Sequence, residues 1–178
     1  MLRSLVGSEM CIRDRARKGM LTDPEAYATI RAQGETPFWG YDELTVPTTV
    51  VGIIADGRSV LHATAGSMVE IALAQTPFYA EMGGQDSDTG IIRANGFDLE
   101  VLDVQAPVPG LIVHKVQLDG DLAVGDEVSA QVDPAARFEA CKAHTATHVL
   151  HAALRELVGP SATQAGSYNK PGYLRFDF

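Results

Sequence analysis

Between Thr48 and Val132 the chain is cut into short runs by tight-turn residues, and this punctuation limits the possible fold more than any other feature. Asp56-Gly57 and Asn95-Gly96 are hairpin-turn dipeptides, since the favoured two-residue turn needs positive φ at both positions. Asp119-Gly120-Asp121 turns the chain again. The runs so separated are residues 48–55, 59–64, 69–74, 91–94, 97–104, 111–118 and 128–132. Short strands at this spacing predict a small antiparallel barrel or sandwich.

At Asp133-Pro134 the period changes from that of a strand to that of a helix. Asp133 suits the N-cap and Pro134 the first helical position, where a missing N–H costs nothing. Residues 135–158 contain no Gly or Pro, and Val149, Ala152, Ala153, Leu154, Leu157 and Val158 form an apolar stripe at helical spacing. Gly159-Pro160 ends the helix. Upstream, residues 16–34 are polar and mildly helical, with Asp23-Pro24 as a helix start. The last residues, Tyr173 to Phe178, alternate like a strand in mid-course. The expected class is therefore α+β. Residues 16–37 form a helical connection, 38–133 the barrel, and 134–178 the first helix and strands of a second domain. Residues 1–15 have neither periodicity and are similar to translated sequencing-adapter sequence. They are expected to be an artefactual leader, and Cys11 goes with them. A strand that breaks off at Phe178 suggests a truncated frame and an exposed, aggregation-prone sheet edge.

Charge is uneven. The chain carries a net −9, but residues 16–133 hold 6 Lys/Arg against 18 Asp/Glu, and residues 134–178 hold 5 against 3. An acidic barrel is a poor phosphate binder; the mildly basic tail can touch the end of an RNA. Two cysteines build no disulfide framework, so a reducing, cytoplasmic setting is expected. No apolar run approaches the ~20 residues that a membrane span requires.

Three segments can carry chemistry. His144-Thr145-Ala146-Thr147-His148 stacks two imidazoles one turn apart on a helix face, and neutral imidazoles at that spacing can grip one Zn²⁺. The plain alternative is a pair of helix histidines making ordinary hydrogen bonds. Cys141 lies one turn earlier on the same face. Three ligands from one straight helix strain a tetrahedron, however, and Cys141 is expected to be a half-buried small apolar residue. The segment lacks the Glu of H-E-x-x-H, which removes the general base of a metalloprotease. The second segment is the loop Thr76 to Gly90. In it Gly83-Gly84 permits positive φ and close backbone approach, and Gln85 can both donate and accept. Its plain alternative is a barrel loop with an aromatic plug. The third is Gln164-Ala165-Gly166-Ser167 leading into Leu174 to Phe178, a turn into a strand.

In this order and spacing, these strings together with Phe38-Trp39-Gly40-Tyr41 resemble the alanyl-tRNA synthetases over about residues 30–178. The resemblance implies a barrel like those of translation factors, followed by an editing domain that hydrolyses serine or glycine wrongly esterified to the alanine tRNA. It implies that His144 and His148 are half of a zinc site completed by a later C-x-x-x-H. Thr147 and Gln164 match positions of the editing pocket, and Gly83, Gly84 and Gln85 match a glycine-rich motif beside it that meets substrate. The partner implied is the acceptor end of the alanine tRNA. ATP belongs to the parent only, because the activating domain lies outside these residues. The chain alone is expected to have little or no activity. Cys141, Met82 and Asp86-Ser87 depart from the family pattern. Such a site must admit serine and reject alanine, which a hydroxyl-seeking pocket can do because unpaired polar groups cost more than a lost methyl contact. Two other readings remain: a free-standing trans-editing hydrolase of the same superfamily, and a non-enzymatic RNA-binding barrel module.

Overall fold

The structure is a computed structural model, and it describes residues 23–178. The expected leader at 1–15, Cys11 and the start of the helical connection lie outside the described residues. Helix α1 (Pro24–Arg31) begins where Asp23 accepts from the Glu25 amide, as an N-cap should. Strand β1 (Thr45–Ala55) is followed by β2 (Arg58–Val60), β3 (His62–Ala63), β4 (Met68–Leu73), β5 (Gly90–Ala94), β6 (Phe97–Val108), β7 (Leu111–Gln117), β8 (Leu122–Ala123) and β9 (Glu127–Val132). Then come α2 (Pro134–Leu157), β10 (Gly166–Lys170) and β11 (Tyr173–Asp177).

The barrel closes as β1-β4-β7-β6-β5-β9 and back to β1, every pairing antiparallel. The turn dipeptides act as expected: Asp56 and Gly57 take φ of 49° and 76°, and Asn95 and Gly96 take 48° and 89°. Closure depends on β1, which serves two neighbours in succession. Thr45 to Thr49 pair with β9, and Val50 to Ala55 pair with β4. A bulge between Val50 and Gly52 separates the two halves. An extra residue there reverses the strand's inside-outside alternation and bends it. Val50 and Ile53, three apart, thus both face the barrel core, while Ile54 joins a second cluster on the outer face. In that cluster Ala26 and Ile30 of α1 cover Ile54, Ala72, Leu111 and Val113. A side chain at Gly52 would overlap Ile30, so the bulge glycine is also the seat of α1.

The sequence predicts one strand over 59–64; the structure divides it into β2 and β3, and β3 leaves the barrel to pair with β8. Helix α2 is capped as expected, with Asp133 accepting from the Ala135 and Ala136 amides. The apolar stripe at 149–158 is not its packed face. Val149, Leu157 and Val158 are exposed, and the residues α2 buries are Ala140, Ala143 and Thr147. Small side chains let the β10–β11 hairpin approach α2 closely, and Val149, Leu157 and Val158 stay uncovered. Among the described residues no helix is long and apolar enough to cross a membrane.

One polar group sits in the middle of the barrel wall. His114 on β7 is fully buried, with Nδ1 3.1 Å from the Ile71 carbonyl and Nε2 2.8 Å from the Thr76 hydroxyl. The carbonyl can only accept, so Nδ1 carries the proton and Nε2 accepts from Thr76. The Thr76 oxygen in turn accepts from the Phe78 amide, and the Phe78 ring meets His114 edge-on at 5.4 Å. Burial holds His114 neutral and lowers its pKa from 6.5 to about 4, against the smaller opposing effect of the Ile71 hydrogen bond. The unfolded chain therefore binds a proton between pH 6.5 and 4 that the folded chain refuses, so stability is lost as the pH drops from 6.5 to 4. We expect this one group to cost on the order of 3 kcal/mol between those limits. Urea unfolding at pH 7 and pH 4.5 measures it: His114→Asn should lose less stability over the interval than the wild type, and equal losses would count against a neutral buried His114.

Candidate functional site

The loop between β4 and β5 does two jobs at its two ends. Its base fills the barrel: Phe78 is fully buried in the core, so the aromatic plug is present. Its tip leaves the barrel and reaches α2 and β10. Met82 and Gln85 close a tight turn through two backbone hydrogen bonds, with Gly83 and Gly84 between them at φ of 63° and 81°. The tip then docks on β10: the Asp86 amide donates to the Asn169 carbonyl at 2.8 Å, and the Asn169 amide donates to the Gly84 carbonyl at 2.6 Å. A side chain at Gly84 would overlap the Ser167 carbonyl, so the glycine is required by the close approach as well as by its φ. The Tyr168 hydroxyl donates to the Asp86 carboxylate at 2.9 Å and ties the same contact from the side.

This docking brings Gln85 to the histidine pair. Gln85 is 9% exposed, and its side-chain carbonyl lies 2.9 Å from His144 Nδ1. His144 Nε2 in turn lies 3.0 Å from His148 Nε2. Two imidazole nitrogens at ~2.0–2.1 Å from one tetrahedral zinc would be about 3.3 Å apart, so the pair stands close to the separation that chelation requires. The donor chemistry fits the ion at two corners. Among the described residues no group of three His, Cys, Asp or Glu side chains is placed to hold a metal. Cys141 does not join the pair, and it is exposed, not half-buried.

Thr147 sits between the histidines in sequence but on the buried side of α2. Its hydroxyl is 2.9 Å from the Ala143 carbonyl and 2.6 Å from the Asn169 side chain. Gln164 lies on the exposed approach to β10, and its amide donates to the Ser167 hydroxyl at 2.9 Å. The structure thus joins Gly84, Gln85, His144, His148 and Thr147 in one network through Asn169. Gln164 meets that network only through Ser167.

Arg137 holds the two halves together. Its guanidinium pairs with Asp88 and donates to the Gly40 carbonyl at 2.5 Å and the Pro77 carbonyl at 2.9 Å. Asp88 also accepts from the Tyr79 amide at 2.7 Å. Burial works against the Arg137 charge, but the hydrogen bond to Asp88 and its negative charge together outweigh it and raise the pKa further.

A family profile described as class II tRNA synthetases (A) matches residues 8–136. The chain belongs to this family. It is 78% identical to an alanine–tRNA ligase of Cutibacterium acnes over 92% of its own length. It is 52% identical to the alanine–tRNA ligases of Clavibacter michiganensis and Paenarthrobacter aurescens, again over 92%. The chain spans only 18 to 19% of the length of these relatives. The synthetase profile thus covers the barrel and ends at the first turn of α2.

Sequence reasoning missed three residues of this class II synthetase segment. Asn169, Arg137 and Asp88 carry no local motif, and their partners lie far along the chain. The usable signal is a lone Arg in the first turn of α2, where basic residues are disfavoured by the helix dipole. We expect Arg137→Ala to cost ~3–5 kcal/mol, because it leaves the nearly inaccessible Asp88 carboxylate without its cation. Arg137→Lys should recover only part of this, since an ammonium cannot span three acceptors. Urea unfolding reads both, and a cost below ~1 kcal/mol for the alanine variant would mean the clamp is dispensable.

Proposed function

We propose that this chain is the segment of an alanine–tRNA ligase that joins its barrel to its editing domain. We further propose that its histidine pair takes part in hydrolysing serine or glycine esters of the alanine tRNA. The observation that carries the second part is the convergence of His144 Nε2 and His148 Nε2 to 3.0 Å beside a docked glycine-rich loop. The high identity to alanine–tRNA ligases supports the first part.

In this reading His144 and His148 hold two corners of a zinc site. Zinc bound there supplies Lewis-acid charge stabilisation for attack on an ester carbonyl. The chain's own residues give the site its shape. Gly83 and Gly84 let the loop tip lie against β10, and Asn169 fixes the tip to α2 through Thr147. Thr147 acts by holding Asn169, because its hydroxyl faces that contact. Gln164, exposed and linked to Ser167, is free to meet the substrate. In the reaction water adds to the ester carbonyl carbon, the bond to the ribose oxygen breaks, and that oxygen takes the proton. The products are the free amino acid and uncharged tRNA. ATP-dependent attachment of alanine is the activity of the longer ligase, and the acceptor end of the tRNA is the partner of this site. A cytoplasmic setting is the natural place for such a ligase.

The test is deacylation of serine-charged and alanine-charged alanine tRNA by the protein expressed in full from its gene. We expect the serine ester to be hydrolysed preferentially, and His144→Ala or His148→Ala to slow it by ~100-fold or more while aminoacylation persists. Unselective hydrolysis, or unchanged rates in both variants, would sink the editing assignment. Such a result would return the histidines to a purely structural role.

A further inference from the structure

We propose that Gln85 is a positioning residue whose side-chain carbonyl fixes the tautomer of His144, so that its Nε2 lone pair faces His148. The inference rests on the zinc reading above and changes the role expected for Gln85, from meeting substrate to orienting a ligand. Imidazole side chains free in water favour the proton on Nε2, which would block that nitrogen as a ligand. His144 needs the opposite tautomer. A carbonyl 2.9 Å from Nδ1 selects it, because the carbonyl can only accept and Nδ1 must then donate. The 3.0 Å separation of the two Nε2 atoms completes the chain: the His148 Nε2 proton points at a His144 lone pair. For the pair to hold a metal, His144 would already be in the ligating form, and only the His148 proton would have to move, from Nε2 to Nδ1.

The geometry around Gln85 suits this role and not substrate contact. Its backbone is locked on one side by the Met82 turn and on the other by the Asp86 amide on Asn169. Its side chain is almost wholly buried, so little rotamer freedom remains to be lost when His144 binds an ion. Partners of this kind, which hold the second nitrogen of a ligating histidine, typically change metal affinity by ~10–100-fold when removed. The barrel thereby acts on the helix site: a loop rooted beside Phe78 and His114 sets the electronic state of a side chain on α2.

The experiment compares the protein expressed in full from its gene with its Gln85→Leu and Gln85→Glu variants at pH 7.5. The Glu variant keeps an acceptor oxygen and the Leu variant keeps only bulk. Two readouts are taken: ring ¹⁵N shifts of His144 without metal, and Zn²⁺ affinity by competition with a chromogenic chelator. The proposal expects His144 protonated on Nδ1 in the wild type and in Gln85→Glu, and shifted toward the Nε2 form in Gln85→Leu. Zn²⁺ affinity should fall ~10–100-fold in Gln85→Leu and stay near wild type in Gln85→Glu. Wild-type zinc binding with an unchanged tautomer and affinity in Gln85→Leu would overturn the role of Gln85 and leave the zinc site standing. No Zn²⁺ uptake by the wild type would overturn both. Unfolding midpoints of the three proteins separate these outcomes from a loss of fold, since Gln85→Glu must rescue the tautomer at equal stability.

Discussion

A single guanidinium decides how the two halves of this chain meet. Arg137, in the first turn of α2, spends its planar fork on Asp88, the Pro77 carbonyl and the Gly40 carbonyl. Those three acceptors belong to the barrel loop and to the segment before β1. A buried ion pair is weak evidence for net stability, since desolvation consumes much of its attraction. Its value here is directional. Only one placement of α2 satisfies all of these acceptors, and that placement sets the loop tip against β10 and the histidines.

The barrel acts as a rigid root for this arrangement. The bulge in β1 lets one strand serve both β9 and β4, which closes the sheet and leaves no free edge between them. His114, Thr76 and Phe78 then anchor the start of the loop inside the closed sheet. From that anchor the chain needs only two glycines to turn and present Gln85. The order of dependence runs from the sheet to the loop, from the loop to the Asn169 contact, and from there to the imidazoles.

Much of the fold was legible in the residues. The hairpins at Asp56-Gly57 and Asn95-Gly96 follow from local φ demands, and the start of α2 follows from Asp133 and Pro134. These are constraints a short window contains. The division of 59–64, the β1 bulge and the hairpin partner β10 were not visible, because each is set by where another strand lies. The apolar stripe on α2 misled for a related reason. Periodicity reports that a face is apolar but not that something covers it, and the helix instead buries Ala140, Ala143 and Thr147. Within the site the histidine spacing was readable, whereas the bond from Gln85 to His144 bridges 59 positions and has no local trace. Cys141 stood on the right face by count, yet the structure leaves it exposed and outside any ligand group.

The account turns on whether His144 and His148 jointly bind an ion at the junction. Zinc-edge X-ray absorption of the zinc-loaded protein addresses this directly. The prediction is at least two nitrogen neighbours at ~2.0–2.1 Å with the outer-shell scattering of imidazole rings, lost when both histidines are replaced by alanine. A spectrum without imidazole scattering, or one unchanged by that double substitution, would contradict the account.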